Sequence, residues 1–347
     1  MQIPLVHRWA QPLLEQLKRT LSGRPAREDA LNLNCHAQSA IPALGTRLQT
    51  EQLLDGHVHP APASPGTAAR DIATSWVVHP LHLCRLRQGL VHLSTGVVHD
   101  LPSGKYIVDT SWGWGKYTTS QVRRFNRRIF PIENPRPVYV FTSVGYHGIM
   151  EDLSAILLLR ELGHAFDIVI DERNHWMRHL LPLFLPPGTR VRPAPGGVWV
   201  TARDLLITTK SALGEFVHPR LLTTLRRAAE SLPGQSTRGP KLFISRADTR
   251  NRAYPGEASL ARAHAAQGFE VLTLGTLPVT DQVLAFRDAT HVAGLHGAGL
   301  ANLVWGRNSI QVTEFYLPEF FNSCYASLSL TLGHRYANTS LADAPSR

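Results

Sequence analysis

The stretch HVAGLHGAGLANLVWGRNSIQVTEF runs from His291 to Phe315. A short apolar run stops at His296-Gly297-Ala298-Gly299, a helix-like segment follows, and SIQVTEF is a second β-rich run. Strand, glycine turn, helix and strand in that order make one repeat of a parallel α/β layer. Glycines at such a turn let backbone N–H groups come close to a ligand, and the helix start adds the positive end of a dipole. That is chemistry for phosphate. Glu314 closes the second strand, where a carboxylate can accept hydrogen bonds from ribose hydroxyls. A nucleoside diphosphate fits both ends, with His296, Gly297, Ala298, Gly299, Asn302 and Glu314 as its candidate ligands.

Other chemistry uses similar turns. Gly297-x-Gly299-x-x-Asn302 is close to a dinucleotide fingerprint, but its third glycine is missing and little sequence follows for a second half-fold. An oxyanion hole of a hydrolase would need a G-x-S-x-G elbow, which the chain lacks. A turn that serves only close helix–strand packing is the plain alternative. His296, Asn302 and Glu314 favour the nucleotide.

Working outward, strand-helix alternation starts near residue 137. VYVFT, FDIVID and VWVTARDLLITT are β-rich, while Ile149 to Leu162, HWMRHLLPLFL and HPRLLTTLRRAAESL have helical periods. PGQSTRGP, residues 233–240, has the composition of a linker. The alternation then resumes with KLFIS, EASLARAHAAQG, FEVLTL and VTDQVLAFRDA. The expected organisation is an irregular, β-containing region 1–136 packing on a first α/β domain 137–232, then a linker 233–240 and a nucleotide-binding α/β domain 241–347. Within 1–136, a short helix over Leu13 to Leu21 precedes β-like runs such as GLVHLS and KYIVD, and SWGWGKY suggests a tight turn. Two parallel-sheet domains would face across a cleft, with ligands at the carboxyl ends of strands.

Bulk properties narrow the function. With 347 residues, the chain suits two domains, and 43% hydrophobic with 18% charged residues excludes wholesale disorder. No apolar run reaches a membrane span, and the first residues lack the order of a secretion signal, so the expected address is the cytoplasm or the inner face of its membrane. Cys35, Cys84 and Cys324 are odd in number and scattered, which reads as buried thiols rather than a disulfide frame or zinc site. The net charge of +10 comes from 36 basic residues spread along the chain, 31 of them arginine. The one dense run, Arg123 to Arg128, is a solvated face or a contact for acidic lipid headgroups or an anionic acceptor. No nucleic-acid motif accompanies it, so specific nucleic-acid binding is not expected.

Four segments in order resemble glycosyltransferase family 61, known from capsular polysaccharide biosynthesis: VGYHGIMEDL, LFISRADTRNR, HGAGLxN and VTEF, together spanning about residues 138–316. The resemblance implies a GT-B transferase of two Rossmann-like domains that uses a UDP-sugar, inverts the anomeric centre and needs no metal or cofactor. The implied acceptor is a polysaccharide or another glycan or lipid-linked acceptor. In the family, histidine is followed by tryptophan and, four residues on, by aspartate. Here Gly148 follows His147, and Glu151 stands at the aspartate position beside Asp152.

The residue types suit sugar transfer. No D-x-D string is present to hold a metal on the departing diphosphate. Arg246, after KLFIS, offers a permanent forked cation, with Ser245 beside it and Arg250 and Arg252 as weaker candidates. His296 and the turn's backbone supply further donors. Glu151 or Asp152, oriented by His147, is the expected base for the acceptor hydroxyl. The rival readings are a nucleotide-cofactor oxidoreductase built on the same turn and a non-catalytic nucleotide- or polysaccharide-binding protein.

Overall fold

A computed structural model describes residues 30–31, 48–60, 75–78, 80–87, 89–101, 105–107, 110–111, 119–122, 124–210, 216–249, 253–317 and 322–341. The expected helix at Leu13 to Leu21, most of SWGWGKY, Cys35, Arg123, Arg250 and Arg252 lie outside them.

The C-terminal unit is a five-stranded sheet ordered Glu270–Thr273, Lys241–Ser245, His291–Leu295, Gln311–Tyr316, Arg335–Ser340, with every pair parallel. Numbered along the chain, that order is 2-1-3-4-5. The strand order therefore reverses between Lys241–Ser245 and His291–Leu295, and a crevice at their carboxyl ends is where doubly wound sheets bind ligands. The last strand and the helix before it, Cys324–Thr331, complete this unit.

The preceding unit holds four parallel strands ordered Val191–Ala194, Asp167–Asp171, Val138–Phe141, Leu205–Thr208, or 3-2-1-4 along the chain. Two strands of the N-terminal region, Leu81–Leu86 and Leu48–Leu54, extend this sheet antiparallel. Alternation along its strands sorts the side chains. Tyr139, Phe141, Ile168, Ile170 and Leu206 point to the helical side, whereas Val138, Val140, Val169, Leu205 and Ile207 point to the other face. That other face is covered by a third sheet, which includes Gly89–His92, Val98–Asp100, Ile129–Ile132 and Trp199–Ala202.

Both parallel sheets bury one face in the same helical layer. A single hydrophobic core runs from Tyr139 and Ile156 of the first unit through Leu225 to Leu242, Ile244, Val292 and Trp305 of the second. Phe184 stacks on Trp305 with ring centroids 5.4 Å apart, and Trp176 Nε1 donates to Gln282 Oε1 at 3.1 Å. The units are thus packed together rather than parted by a wide cleft. Residues 233–240, read as a linker, are held down: Arg287 donates to the carbonyls of Leu232 and Gly234, Asp288 accepts from Ser236 N, and Glu270 accepts from Arg238 and Gly239 N.

Candidate active site

The turns that end two strands meet at the junction. One follows Val138–Phe141 and contains Val144 and Gly145; the other follows His291–Leu295 and contains Gly297 and Ala298. A β-carbon built on Gly145 would lie 3.7 Å from that of Ala298. Beside this contact is a pocket of about 170 Å³ lined by Gly145, Ile149, Trp176, Gln282, Gly299 and Asn302 among others.

On the first side, the helix starts at Gly145, whose φ of +54° is a conformation that glycine adopts without strain. It passes through a π-helical segment, Gly148–Leu153, before becoming regular α-helix at Ser154–Glu161. Such wide turns recur at functional sites. At Gly148, where the resemblance leads one to expect tryptophan, an added β-carbon would meet the tip of Met177, Cε, at 2.8 Å.

His147 and Glu151 form a pair, with Nδ1 3.1 Å from Oε1. Ser143 Oγ donates to the other carboxylate oxygen at 3.4 Å. The side chain of His147 is 28% exposed and that of Glu151 is 0% exposed. Glu151 or Asp152, oriented by His147, was the expected base; of the His147–Glu151 pair, the imidazole is the side chain that reaches solvent and the carboxylate lies behind it. Asp152 points elsewhere, as a step of about 100° round a helix requires. It is fully buried, paired with Lys210 Nζ, and accepts from Tyr139 OH at 2.9 Å, Thr142 N at 3.0 Å and Ser143 N at 2.8 Å. Burial alone would raise this carboxyl, but the Lys210 ammonium and the hydrogen bonds hold it below the usual carboxylate range. A carboxylate so engaged has no access to an acceptor, so Asp152 drops out as a base.

On the second side, Arg246 Nη1 donates to the carbonyl of His296 at 3.0 Å, so the two side chains belong to turns stitched together across the strand-order reversal. Gly297 makes room for this: a β-carbon there would meet Arg246 Nη1 at 1.6 Å. Gly299 has a different reason. Its missing side chain faces Leu274 Cδ1 at 3.0 Å and Ile244 Cγ2 at 3.2 Å, which is helix–strand packing as much as ligand space. Ser245 Oγ donates to Glu257 Oε1 at 2.9 Å, and the same carboxylate accepts from Arg246 N, fixing the start of the arginine's loop.

Glu314 was expected at a ribose. It is instead completely buried, bonded to His296 Nδ1 on one oxygen and accepting from Tyr336 OH at 2.6 Å on the other. Burial first, and then the Glu314 charge, push the Tyr336 phenol far above its ordinary range, which keeps it a donor. Glu314 is therefore a support behind His296, since a strand with its neighbours on both sides turns alternate side chains inward. Asn302 is likewise inward: Nδ2 donates to Gly299 O at 3.0 Å and Oδ1 accepts from Trp305 Nε1 at 2.8 Å. Its helix is a 3₁₀ helix, Ala298–Trp305, buried from Leu300 onward.

The site thus holds two histidine–carboxylate pairs, His147–Glu151 and His296–Glu314, each with its carboxylate behind its imidazole. Two tyrosines lie between them: Tyr146 packs edge-on against His147 and against Tyr325, whose ring centroid is 5.1 Å from that of His296. Lys210, Tyr325 and Tyr336 were not foreseen from the sequence. Only Lys210 left a trace there, as one of five lysines, standing directly after a strand. Among the described residues, no three or more His, Cys, Asp or Glu side chains are grouped to hold a metal ion, and no helix is long and apolar enough to cross a membrane.

The family model for Glycosyltransferase 61 matches residues 146–313, just under half of the chain. No curated protein matches the chain. The matched segment contains His147, Glu151, Arg246 and the turn from His296 to Gly299, and Glu314 follows at its edge. The chain carries a glycosyltransferase family 61 domain over these residues and is a glycosyltransferase.

Proposed function

We propose that the protein transfers a sugar from a UDP-sugar to a glycan or lipid-linked acceptor, with inversion, without a metal, in a GT-B arrangement. The observation that supports this best is the strand-order reversal of the 2-1-3-4-5 sheet, with Arg246 on one turn and His296 on the other. The donor diphosphate belongs there. Arg246 brings a permanent forked cation to the phosphate oxygens, and His296, backed by the buried Glu314, adds a second hydrogen-bond donor where charge develops as the diphosphate leaves. These two groups do what a metal held by D-x-D does elsewhere.

The acceptor hydroxyl comes from the side of His147. With Nδ1 turned to Glu151, Nε2 takes the hydroxyl proton in this reading, and the carboxylate stabilises the imidazolium that forms. The acceptor oxygen then attacks the anomeric carbon from the face opposite the diphosphate. The C–O bond to phosphate breaks, its electron pair leaves with UDP, and the configuration inverts.

Calorimetric titration tests the donor assignment. UDP should bind and NAD⁺ should not, and Arg246→Ala should weaken UDP at least about 10-fold, the worth of one charge-assisted contact. NAD⁺ binding in preference to UDP would move the site to the oxidoreductase reading. UDP binding without any turnover of UDP-sugars would leave a nucleotide-binding protein.

A further inference from the structure

The first sheet also has a strand-order reversal, between Val138–Phe141 and Leu205–Thr208 in its 3-2-1-4 order. A doubly wound sheet ordinarily offers a ligand crevice at that point, lined by the backbone N–H groups that follow the first strand. Here the crevice is closed by the chain's own ion pair. Thr142, Ser143, Thr208, Thr209 and Lys210 are all buried at the two carboxyl ends, and Asp152 reaches in from the π-helical turn. Its Oδ2 takes the N–H groups of Thr142 and Ser143, where a bound anion would sit, and its Oδ1 takes Lys210 Nζ and Tyr139 OH.

A buried ion pair is a poor source of stability, because desolvation offsets most of the attraction. What this pair does is hold a loop. Residues 142–144 lead into Gly145, which touches the donor-side turn at Ala298, and Ser143 carries the hydroxyl that bonds Glu151. Asn174 Nδ2 holds the carbonyl of Ser143 at 3.1 Å from the other side. Asp152 also follows Glu151 directly in the sequence, so anchoring Asp152 sets where the wide turn presents Glu151 and His147.

We infer that Asp152 and Lys210 are positioning residues: an internal carboxylate occupies the anion crevice of the first sheet and thereby fixes the His147–Glu151 pair against the donor turn. This rests on the transferase mechanism above for its catalytic readout. The first unit then has no nucleotide site of its own, and loss of the internal carboxylate leaves a cationic hole that a small free carboxylate can refill.

The test is chemical rescue. Asp152→Ala removes the carboxylate but leaves the Lys210 ammonium and both N–H groups. The kcat for UDP release from a UDP-sugar should fall about 100-fold, as expected for a misplaced base, while the Kd for UDP stays within about twofold. Sodium formate should restore kcat about 10-fold or more in Asp152→Ala, with no such gain in wild type or in Asp152→Ala/Lys210→Met. If Asp152→Ala does not fold, Asp152→Asn/Lys210→Met keeps the volume and removes both charges; it should fold, keep its UDP affinity and lose kcat about 10-fold or more. Full kcat in a folded variant, UDP affinity falling in step with kcat, absence of formate rescue in folded Asp152→Ala, or failure of both variants to fold would each overturn the positioning role. Failure of wild-type protein to bind UDP is a separate result, which removes the donor assignment itself.

Discussion

Two glycines of one turn should respond to the same substitution in opposite ways. At Gly297 an added β-carbon meets Arg246 Nη1 at 1.6 Å and Cζ at 2.8 Å. These atoms are the far end of a flexible side chain, so the fold has a cheap escape: the guanidinium swings away. It then loses its bond to the His296 carbonyl and its place beside the donor phosphates. One or two hydrogen bonds to a charged group, each worth about 1.5–3 kcal/mol, correspond to a UDP affinity lower by roughly 10- to 10⁴-fold. At Gly299 the same atom meets Leu274 Cδ1 at 3.0 Å and Ile244 Cγ2 at 3.2 Å, both in the packed core. Overpacking of this kind costs about 1–3 kcal/mol of stability, and the phosphate contacts stay. Urea melts and UDP calorimetry on Gly297→Ala and Gly299→Ala separate the two effects. Gly297→Ala should melt near wild type and bind UDP poorly; Gly299→Ala should melt early and bind UDP within about threefold of wild type at a temperature where it is folded. Unchanged UDP affinity in Gly297→Ala refutes the placement of Arg246 at the diphosphate.

The remaining predictions concern proton transfer, charge and acid stability. His147→Ala should lower turnover about 10²- to 10⁴-fold and Glu151→Gln less, both with UDP affinity retained, because the exposed imidazole takes the proton and the buried carboxylate orients it; steady-state rates with the ranking reversed would return the base to Glu151. Arg246→Ala should cut kcat about 100-fold or more even at saturating donor, since its cation acts most strongly on the leaving diphosphate; a normal kcat at saturation would limit it to ground-state binding. His334 is buried with Nδ1 accepting from Ile310 N and Nε2 against the Leu303 carbonyl, an arrangement that only the neutral ring makes, and burial lowers its pKa to about 4. A folded pKa below the unfolded value of about 6.5 means the unfolded chain binds the proton first, so stability present above pH 6.5 declines as pH falls toward 4. In urea melts over that window, His334→Gln should lose about 3 kcal/mol less than wild type; an identical slope would refute it.

Much of the fold was legible because its signals are local. VYVFT, FDIVID, KLFIS and HVAGL are runs of apolar β-formers, and each is a parallel strand at that place. The turn at His296 stood out because glycines at the end of a strand have few uses. Direction within the site was not legible. Whether Glu151 or His147 faces the acceptor depends on a π-helical turn and on Ser143, and whether Glu314 faces ribose or backs His296 depends on Tyr336, a residue 22 positions further on. The reach of Asp152 to Lys210 spans 58 residues and four strands. Such pairings are set by sheet order, which periodicity does not encode. The tight joining of the two units through Phe184, Trp305, Trp176 and Gln282 was hidden for the same reason.

The most direct test of inverting, metal-free transfer needs no acceptor. A UDP-α-sugar is incubated with the enzyme in excess EDTA, and the first sugar released to water is followed by proton NMR before it mutarotates. Sugar appearing first as the β anomer, at a rate unaffected by EDTA, is the result predicted by attack opposite a diphosphate held by Arg246 and His296. Release of the α anomer, or turnover that stops in EDTA and returns with Mn²⁺, would contradict it.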